Sequence, residues 1–487
     1  MNKQQSTNYA LPIAMMFALF FMIAFVTGLP SPMGVIVAKQ FGASNFESQL
    51  GFFANFIAYA FMGIPAGILL KKIGYKKTAL AAVLVGFTGV GVQYLSGVFG
   101  SFAIYLSGAF IAGFSMCMLN TVVNPMLNTL GGGGNSGNKL LQFGGSINSI
   151  GATITPMLVG YLMGGEAGRT IGKANPALFL ALGIFALAFV VLFFVNIPEP
   201  HMETAKERKV KHSHSPLYFR HFKLGALAIF IYVGIEVGIP STANLFMTTF
   251  TKEQAVQKTA EYSKQQSDAN YLAELKKIDE QNKDDQNYTQ KVIAKDSYTK
   301  AEKVVQGELF PGLGISATIA GFVVGIYWLL MLVGRLIGGA IGSKVSSKTM
   351  MIFVSSLAIC FILLAIFLPT STTVSMPVFQ SNLSFGIAQV PINVMFFVLC
   401  GLCTSIMWGG IFNLAVEGLG KYTAAASGIF MVMVCGGGIV PLFQGFISDH
   451  FGYLNSYWVM FFCLAYMLFY GLIGSKNVNK DIPVSNV

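Results

Sequence analysis

Residues 313–342 read LGISATIAGFVVGIYWLLMLVGRLIGGAIG and contain a single charged residue, Arg335. A helix needs about 20 consecutive apolar residues to cross the hydrocarbon core of a bilayer. The stretch does not alternate between polar and apolar residues, as a strand of a membrane barrel would. Because a backbone surrounded by lipid must satisfy its own hydrogen bonds, we interpret this stretch as a transmembrane helix.

Eleven further runs of the chain have the same apolar character. The 487 residues are 54% hydrophobic and only 10% charged, whereas soluble domains carry about 25% charged residues. This composition excludes a nucleic-acid-binding protein, a secreted disulfide scaffold and a disordered chain. We predict an all-α membrane protein of twelve transmembrane helices, without a cofactor or a metal site. The predicted spans are 11–38, 50–70, 78–97, 101–127, 140–164, 177–196, 224–250, 313–342, 349–369, 391–416, 422–447 and 453–474.

The net charge of +11 reflects basic residues that are concentrated in particular loops. Cytoplasmic loops of membrane proteins carry an excess of Lys and Arg. With the N-terminus inside, the basic clusters all fall on the cytoplasmic side. We therefore predict a multi-pass protein of the cell (inner) membrane with both termini in the cytoplasm. The clusters are Lys71, Lys72, Lys76 and Lys77, then Lys206, Arg208, Lys209, Lys211, Arg220 and Lys223, and finally Lys344 and Lys348.

Two polar segments interrupt the apolar runs. Residues 197–223 form a predicted cytoplasmic linker between an N-terminal six-helix bundle, residues 1–196, and a C-terminal six-helix bundle, residues 224–474. Residues 251–311 form a predicted extracytoplasmic helical insertion that is rich in Lys, Gln, Glu and Asp. A protein partner could bind there, although its near-balanced charge favours a solvated surface. Residues 475–487 form a predicted cytoplasmic tail.

Two local patterns occur once in each half of the chain. Glycines four residues apart share one helix face and let helices approach closely, and a proline inside a span allows bending. Two similar halves are typical of transporters in which one bundle rocks against the other around a site at mid-depth. The patterns are Gly63-x-x-x-Gly67 followed by Lys77-Thr78, repeated as Gly334-x-x-x-Gly338 followed by Lys348-Thr349, and Gly151-x-x-Ile154-x-Pro156-x-x-x-Gly160, repeated as Gly436-x-x-Ile439-x-Pro441-x-x-x-Gly445.

Several short motifs lie within the spans or at their ends. They are Asn124-Pro125, Asn148-Ser149-Ile150-Gly151 with Pro156, Tyr232-Val233-Gly234-Ile235-Glu236-Val237, Tyr327-Trp328, Gly334-Arg335, and Phe412-Asn413-Leu414-Ala415-Val416-Glu417-Gly418-Leu419-Gly420. These motifs resemble the major facilitator superfamily, and within it the fucose–proton symporter family, which includes fucose and glucose/galactose permeases. The resemblance covers nearly the whole chain apart from the insertion at 251–311. It implies a fold of two pseudo-symmetric six-helix bundles and a sugar as the substrate.

The predicted binding residues are polar and aromatic side chains within spans. A neutral sugar is bound by hydrogen-bonding groups together with aromatic rings that face its C–H surface. Each amide could instead hold two helices together. The candidates are Asn120, Asn124, Gln142, Asn148, Tyr232, Glu236, Asn244, Trp328, Trp408 and Asn413.

Ionisable side chains inside a bilayer are costly and are therefore functional candidates. The resemblance implies acids in spans one and four, but the matching positions hold Ser31 and Asn120, which do not titrate near neutral pH. Glu236 is the one acid well inside a span, so it is the coupling candidate, for H⁺ or Na⁺; a structural role in holding span seven remains open. We predict a cytoplasmic gate formed by Arg335, Glu417 and Lys421, and we interpret Asp449 as a helix cap.

The sequence thus predicts a secondary transporter of a monosaccharide, such as a hexose or deoxyhexose, that works by symport or facilitated diffusion. Its predicted partners are the sugar, a coupling ion and the lipid bilayer, with no nucleic acid. Two alternatives remain open: an exporter of a drug-like or peptide solute, and a membrane sensor that does not transport. An enzyme is not expected, because no His lies within a span and no catalytic constellation appears.

Overall fold

The computed structural model describes residues 9–30, 33–34, 36, 43–131, 134–162, 174–197, 199, 215–266, 298–341, 345–379, 385–419 and 422–479. These residues are mostly helical, in agreement with the predicted all-α class. The first half contains six long helices. They are α1 (Ala10–Gly28), α2 (Leu50–Leu70), α3 (Lys72–Phe99), α4 (Phe102–Leu130), α5 (Gly134–Leu162) and α6 (Asn175–Phe194).

The second half contains six more helical spans. They are α7 (Arg220–Thr248), α8 (Ala317–Ile341), α9 (Ser347–Phe367), α10 (Ile392–Thr404 and Met407–Val416), α11 (Thr423–Met433 and Gly436–Phe451) and α12 (Tyr453–Phe469). Two of them, α10 and α11, are interrupted by turns between their two segments. A π-helical turn, Tyr470–Gly474, follows α12.

Eleven spans of the described part of the chain are long and apolar enough to cross a membrane. The remaining helix, α5, has the necessary length, but Ser146, Asn148, Ser149, Thr153 and Thr155 make it more polar. Polar residues on a membrane helix usually face other helices or a cavity instead of lipid. The polarity of α5 therefore fits its position, since α5 packs against α1 and α8 in the interior of the molecule.

Local sequence explains where several helices begin and end. The hydroxyls of Ser101 and Ser346 accept backbone N–H groups at the starts of α4 and α9, as N-cap residues do. Helices α2 and α3 are continuous except at Gly74, whose φ of 84° is available to glycine at little cost. The carboxylate of Glu199 accepts the N–H groups of Tyr75 (2.5 Å) and Lys76 (3.0 Å) beside this kink.

One pair of repeated glycines, Gly151 and Gly436, makes equivalent contacts in the two halves. Gly151 of α5 packs against the backbone carbonyl of Phe21 in α1, and Gly436 of α11 packs against the carbonyl of Phe230 in α7. A Cβ atom at either glycine would overlap with the carbonyl oxygen. The same close helix contact therefore occurs once in each half, as the sequence repeat indicates.

A β-hairpin and part of residues 251–311 are among the elements that lie outside the long helices. Strands β1 (Thr373–Phe379) and β2 (Phe385–Pro391) form an antiparallel hairpin between α9 and α10. The sequence analysis did not predict this hairpin. Within residues 251–311, the structure describes a helix, Lys252–Gln266, and a small apolar cluster of Ala255, Ala301, Val304 and Leu309.

Two helix pairs join the first half to the second, and we call them seams. In the α5–α8 seam, Met157 of α5 packs against Gly325 of α8. In the α2–α11 seam, Phe53 and Phe56 of α2 pack against Gly438 and Gly437 of α11. Glycine lets the backbones approach closely at both seams.

Candidate functional site

The site is centred on an ion pair between α7 and α8. Arg335 Nη2 lies 3.6 Å from Glu236 Oε1, and the two side chains are 11% and 16% exposed, respectively. A buried charge without a partner is strongly destabilising, so each group requires the other. The pairing explains how α7 and α8 can both carry a charged residue within apolar spans.

Arg335 also reaches across the α5–α8 seam. Its Nη1 atom donates to the carbonyl of Gly145 at 2.5 Å and to the hydroxyl of Ser149 at 2.7 Å. Hydrogen bonds from an ionised donor are stronger than those between neutral groups. One guanidinium group thus joins Glu236 of its own half to α5 of the other half.

Aromatic side chains lie beside the ion pair. Tyr232, one helical turn before Glu236, is fully buried, and its hydroxyl lies near Glu236 and Arg335. No hydrogen bond to that hydroxyl has normal geometry. The ring of Tyr232 lies 6.1 Å from the half-buried ring of Trp408 in α10, at an interplanar angle of 55°. Together the two residues give the site a polar hydroxyl group and two aromatic rings.

The first half contributes a pair of amides on α4. Asn120 Nδ2 donates to the hydroxyl of Tyr59 in α2 at 3.0 Å, and Asn124 Nδ2 donates to the backbone carbonyl of Asn120 at 2.8 Å. Both asparagines are partly exposed inside the fold. Asn148 of α5 donates instead to the carbonyl of Phe20 in α1, at 3.0 Å, so its amide nitrogen holds two helices together.

The remaining binding candidates are less closely associated with the ion pair. Trp328 is half-buried and packs edge-on against Tyr327, whose hydroxyl bonds to Thr404 in α10. Asn244 is buried two turns beyond Glu236 on α7, whereas Asn413 is exposed near the end of α10. Gln142 lies on α5, but its side chain is outside the described residues.

The structure describes two of the three residues of the predicted gate, Arg335 and Glu417, so the gate stays a prediction. Arg335 pairs with Glu236 of α7 and joins the two halves through its hydrogen bonds to α5. Glu417 is exposed, and its backbone carbonyl bonds to the His221 ring at 2.9 Å. Lys421 is outside the described residues, as is Ser31.

Sequence reasoning missed three residues of the site: Gly145, Ser149 and Tyr59. Ser149 belongs to the Asn148-Ser149-Ile150-Gly151 motif, which was noted as a family marker and not as a contact. Gly145 contributes through its backbone, and a carbonyl group leaves no signal in the sequence. Tyr59 was hidden within an apolar run.

Full-length relatives are similar to this chain over nearly its whole length. The chain is 27% identical to the glucose/galactose transporter of Brucella abortus, over 96% of this chain and 95% of the relative. It is 26% identical to the putative glucose/galactose transporter of Helicobacter pylori, over 97% and 98%. It is 22% identical to the L-fucose-proton symporter of Escherichia coli, over 92% and 89%. These relatives confirm the resemblance found in the motifs.

Solved structures identify the fold independently. A crystal structure of the E. coli fucose:proton symporter matches with a TM-score of 0.61 at 19% identity, covering 96% of this chain and 100% of that one. A nucleoside transporter matches with a TM-score of 0.58 at 11% identity, with the same coverage. The family model described as Major Facilitator Superfamily matches residues 15–261. Because this match covers more than half of its length, the chain belongs to the Major Facilitator Superfamily.

Proposed function

We propose that this protein is a secondary transporter of a monosaccharide that works by alternating access. The observation that carries the proposal is the position of Arg335, which joins the ion pair with Glu236 to α5 across the seam between the halves. A charge network that bridges two bundles can respond to a bound solute and can also control how the bundles move. The names of the full-length relatives support a sugar as the solute.

The sugar would bind between the amides of α4 and the aromatic rings of α7 and α10. The hydroxyl of Tyr232 can hydrogen-bond to a sugar hydroxyl, and the ring of Trp408 can cover the sugar's C–H surface. Asn120 and Asn124 would contribute from the other half. We keep Gln142, Asn148, Asn244, Trp328 and Asn413 as further candidates for contact with the substrate.

Glu236 is the proposed coupling residue, with H⁺ as the coupling ion. A proton on Glu236 would remove the negative charge opposite Arg335 and leave the guanidinium group with only the neutral acceptors of α5. The strength of the link across the seam would then depend on whether Glu236 is protonated. The relative named as a proton symporter supports H⁺, and Na⁺ is the alternative that an experiment must separate.

Uptake into proteoliposomes tests the choice of substrate. The purified chain is reconstituted, and uptake of radiolabelled glucose, galactose, fucose and other monosaccharides is measured. Each sugar is tested with no gradient, with an inward proton gradient (acidic outside) and with an inward Na⁺ gradient. We expect saturable uptake of at least one hexose or deoxyhexose that a pH gradient increases. The absence of uptake for every sugar, from protein that elutes as a single folded species, would contradict the proposal.

A second experiment tests the coupling residue. Glu236→Gln removes the titrating group, whereas Glu261→Gln makes the same chemical change on the helix of the insertion, outside the spans. We expect Glu236→Gln to abolish uptake driven by a pH gradient while sparing exchange of labelled for unlabelled sugar. The Glu261→Gln variant should behave as the wild type. If uptake by Glu236→Gln still responds to the pH gradient, coupling runs through another group.

We also propose the orientation and domain division given by the sequence. Residues 1–196 and 224–474 would be the two moving bundles, with 197–223 as a cytoplasmic linker, 251–311 outside and 475–487 as a cytoplasmic tail. We place the protein in the cell (inner) membrane, and the basic clusters of the sequence, such as Lys71, Lys72, Lys76 and Lys77 beside Gly74, support this orientation. Labelling of single cysteines at 258 and 478 in intact cells, with a reagent that does not cross membranes, should modify only position 258.

A further inference from the structure

The first and second halves also meet through a carboxylate far from the site. Asp449 lies near the last turn of α11, and its two oxygens accept the backbone N–H groups of Asn45 (2.8 Å) and Phe46 (2.9 Å). Those N–H groups begin a short helix, Asn45–Ser48, between α1 and α2. A side chain of the second half therefore caps a helix of the first half.

Side chains extend this contact into a buried network. The hydroxyl of Tyr453 donates to Asn45 Oδ1 at 2.8 Å and bonds to the hydroxyl of Thr249 at 2.7 Å. Asn45 itself is only 3% exposed. A Cβ atom on Gly445 would lie 2.9 Å from the carbonyl oxygen of Asn45, so the backbones of α11 and the short helix are in close contact.

A separate hydrogen bond lies beneath the network. Gln49 Nε2 donates to the hydroxyl of Ser241 in α7 at 3.2 Å, and both residues are buried. We call the contacts of Asp449, Tyr453 and Ser241 with Asn45, Phe46 and Gln49 the Asp449 latch. All of them join one half to the other, so none can survive if the halves separate at this end.

The short helix does not need the latch for its own structure. Ser44 and Glu47 form a reciprocal capping box, with Glu47 N to Ser44 Oγ at 3.1 Å and Ser44 N to Glu47 Oε2 at 2.8 Å. Asp449 therefore adds a contact between halves to a helix that is already capped locally. Separation of the halves would expose both the carboxylate and the two N–H groups to water, where each can be solvated.

We propose that Asp449 holds this end of the transporter closed, and that breaking its bonds to Asn45 and Phe46 is a step of every transport cycle. The inference rests on the alternating access that we propose above, but not on the identity of the solute. In alternating access, opening at one end accompanies closure at the other. Loss of the latch should therefore have opposite effects at the two ends of the molecule.

Hydrogen–deuterium exchange can detect both effects without any sugar. The near reporter is the segment 43–50, and the far reporter is the segment 413–419, at the end of α10 where Asn413, Glu417 and Gly418 are exposed. Helix α11 begins close to the far reporter and ends at the latch, so the two segments lie at opposite ends of one helix. The experiment compares wild type with Asp449→Asn in lipid nanodiscs.

The matched control is His450→Gln, at the next position of α11, because the His450 ring bonds to the carbonyl of Phe446 within the same helix. We expect Asp449→Asn to speed exchange at 43–50 by about tenfold or more, because a charge-assisted hydrogen bond is lost. The same variant should slow exchange at 413–419. His450→Gln should change neither segment.

Faster exchange at 43–50 with no change at 413–419 would overturn the inference, because Asp449 would then be only a local cap. Unchanged exchange at 43–50 would overturn it as well. If Asp449→Asn does not fold, Tyr453→Phe, which removes one hydroxyl from the network, should produce the same two effects with smaller amplitude, and no effect at either end would refute the latch. A failure of sugar uptake in the separate transport assay would leave this result unaffected.

Discussion

The two seams between the halves are built in different ways. At the α5–α8 seam, a side-chain charge makes the link: Arg335 donates to Gly145 and Ser149 and is held by Glu236. At the α2–α11 seam, glycines of α11 let its backbone lie against Phe53 and Phe56. The first link depends on a charged side chain, whereas the second depends on close packing of the backbones.

The two seams can therefore have different roles in the movement of the halves. Close packing of backbones has one well-fitting arrangement and responds little to chemistry, since it has no charge to neutralise. The α2–α11 seam can therefore serve as a surface on which the halves rock, with Asp449 closing its end. Under the proposed function, the α5–α8 seam would respond to a bound sugar, because Arg335 belongs to both the site and the seam.

Removing the charge at the α5–α8 seam should have the largest effect. Arg335→Met leaves Glu236 without its partner, which costs about 3–5 kcal/mol for a buried pair, and it removes both bonds to α5. We expect a large fall in thermal stability in detergent and no measurable uptake. Denaturation midpoints and proteoliposome uptake provide the measurements.

The double variant Glu236→Gln/Arg335→Met is the control for this experiment. It removes both charges, so most of the lost stability should return, while uptake should stay absent because the link to α5 is still missing. The 3.6 Å contact indicates that each side chain depends on the other. A single variant as stable as the double variant would contradict this dependence.

Adding bulk at the α2–α11 seam should have an intermediate effect. A Cβ atom at Gly438 would lie 2.7 Å from Phe53 Cα, which cannot move without shifting α2. We expect Gly438→Val to lower stability by about 1–3 kcal/mol, as overpacking does, and to speed hydrogen exchange at residues 50–56.

Gly67→Val supplies the comparison for Gly438→Val. Gly67 also lies on α2, but a Cβ atom there would meet no atom within 4 Å. Its effect should remain within about 0.5 kcal/mol, which is usual for a surface substitution. Equal effects at the two positions would show that the α2–α11 seam is not close-packed in the membrane.

Much of this fold could be predicted from the sequence, for a physical reason. A bilayer permits few backbone conformations, so apolar runs of sufficient length specify helices, and even the polar α5 follows from its place in the series. The hairpin of β1 and β2 was missed because it lies between spans, where this constraint does not apply.

The site was harder to predict, because the sequence gives the depth of a residue in the membrane but not what its side chain reaches. Glu236 and Arg335 were both selected, yet Arg335 was grouped with Glu417, which lies near the same end of the bundle. Asp449 was interpreted correctly as a cap, but the helix that it caps belongs to the other half and is 403 residues away in the chain. Such contacts depend on how twelve helices pack together, which local patterns do not specify.

The smallest expected effect tests how the charge of Arg335 is shared within its own seam. Ser149→Ala removes one of the two acceptors on α5 and leaves the carbonyl of Gly145 in place. We expect a loss near the lower end of the roughly 1.5–3 kcal/mol range for a hydrogen bond to a charged group, since Arg335 keeps its other partners. Uptake should fall by about tenfold, which corresponds to about 1.4 kcal/mol, and exchange at residues 143–150 should become faster. Ser107→Ala, whose hydroxyl donates to Ala103 within α4, should change neither measurement. If Ser149→Ala were as damaging as Arg335→Met, the hydroxyl rather than the charge would carry the link, and the contrast between a responsive seam and a fixed one would fail.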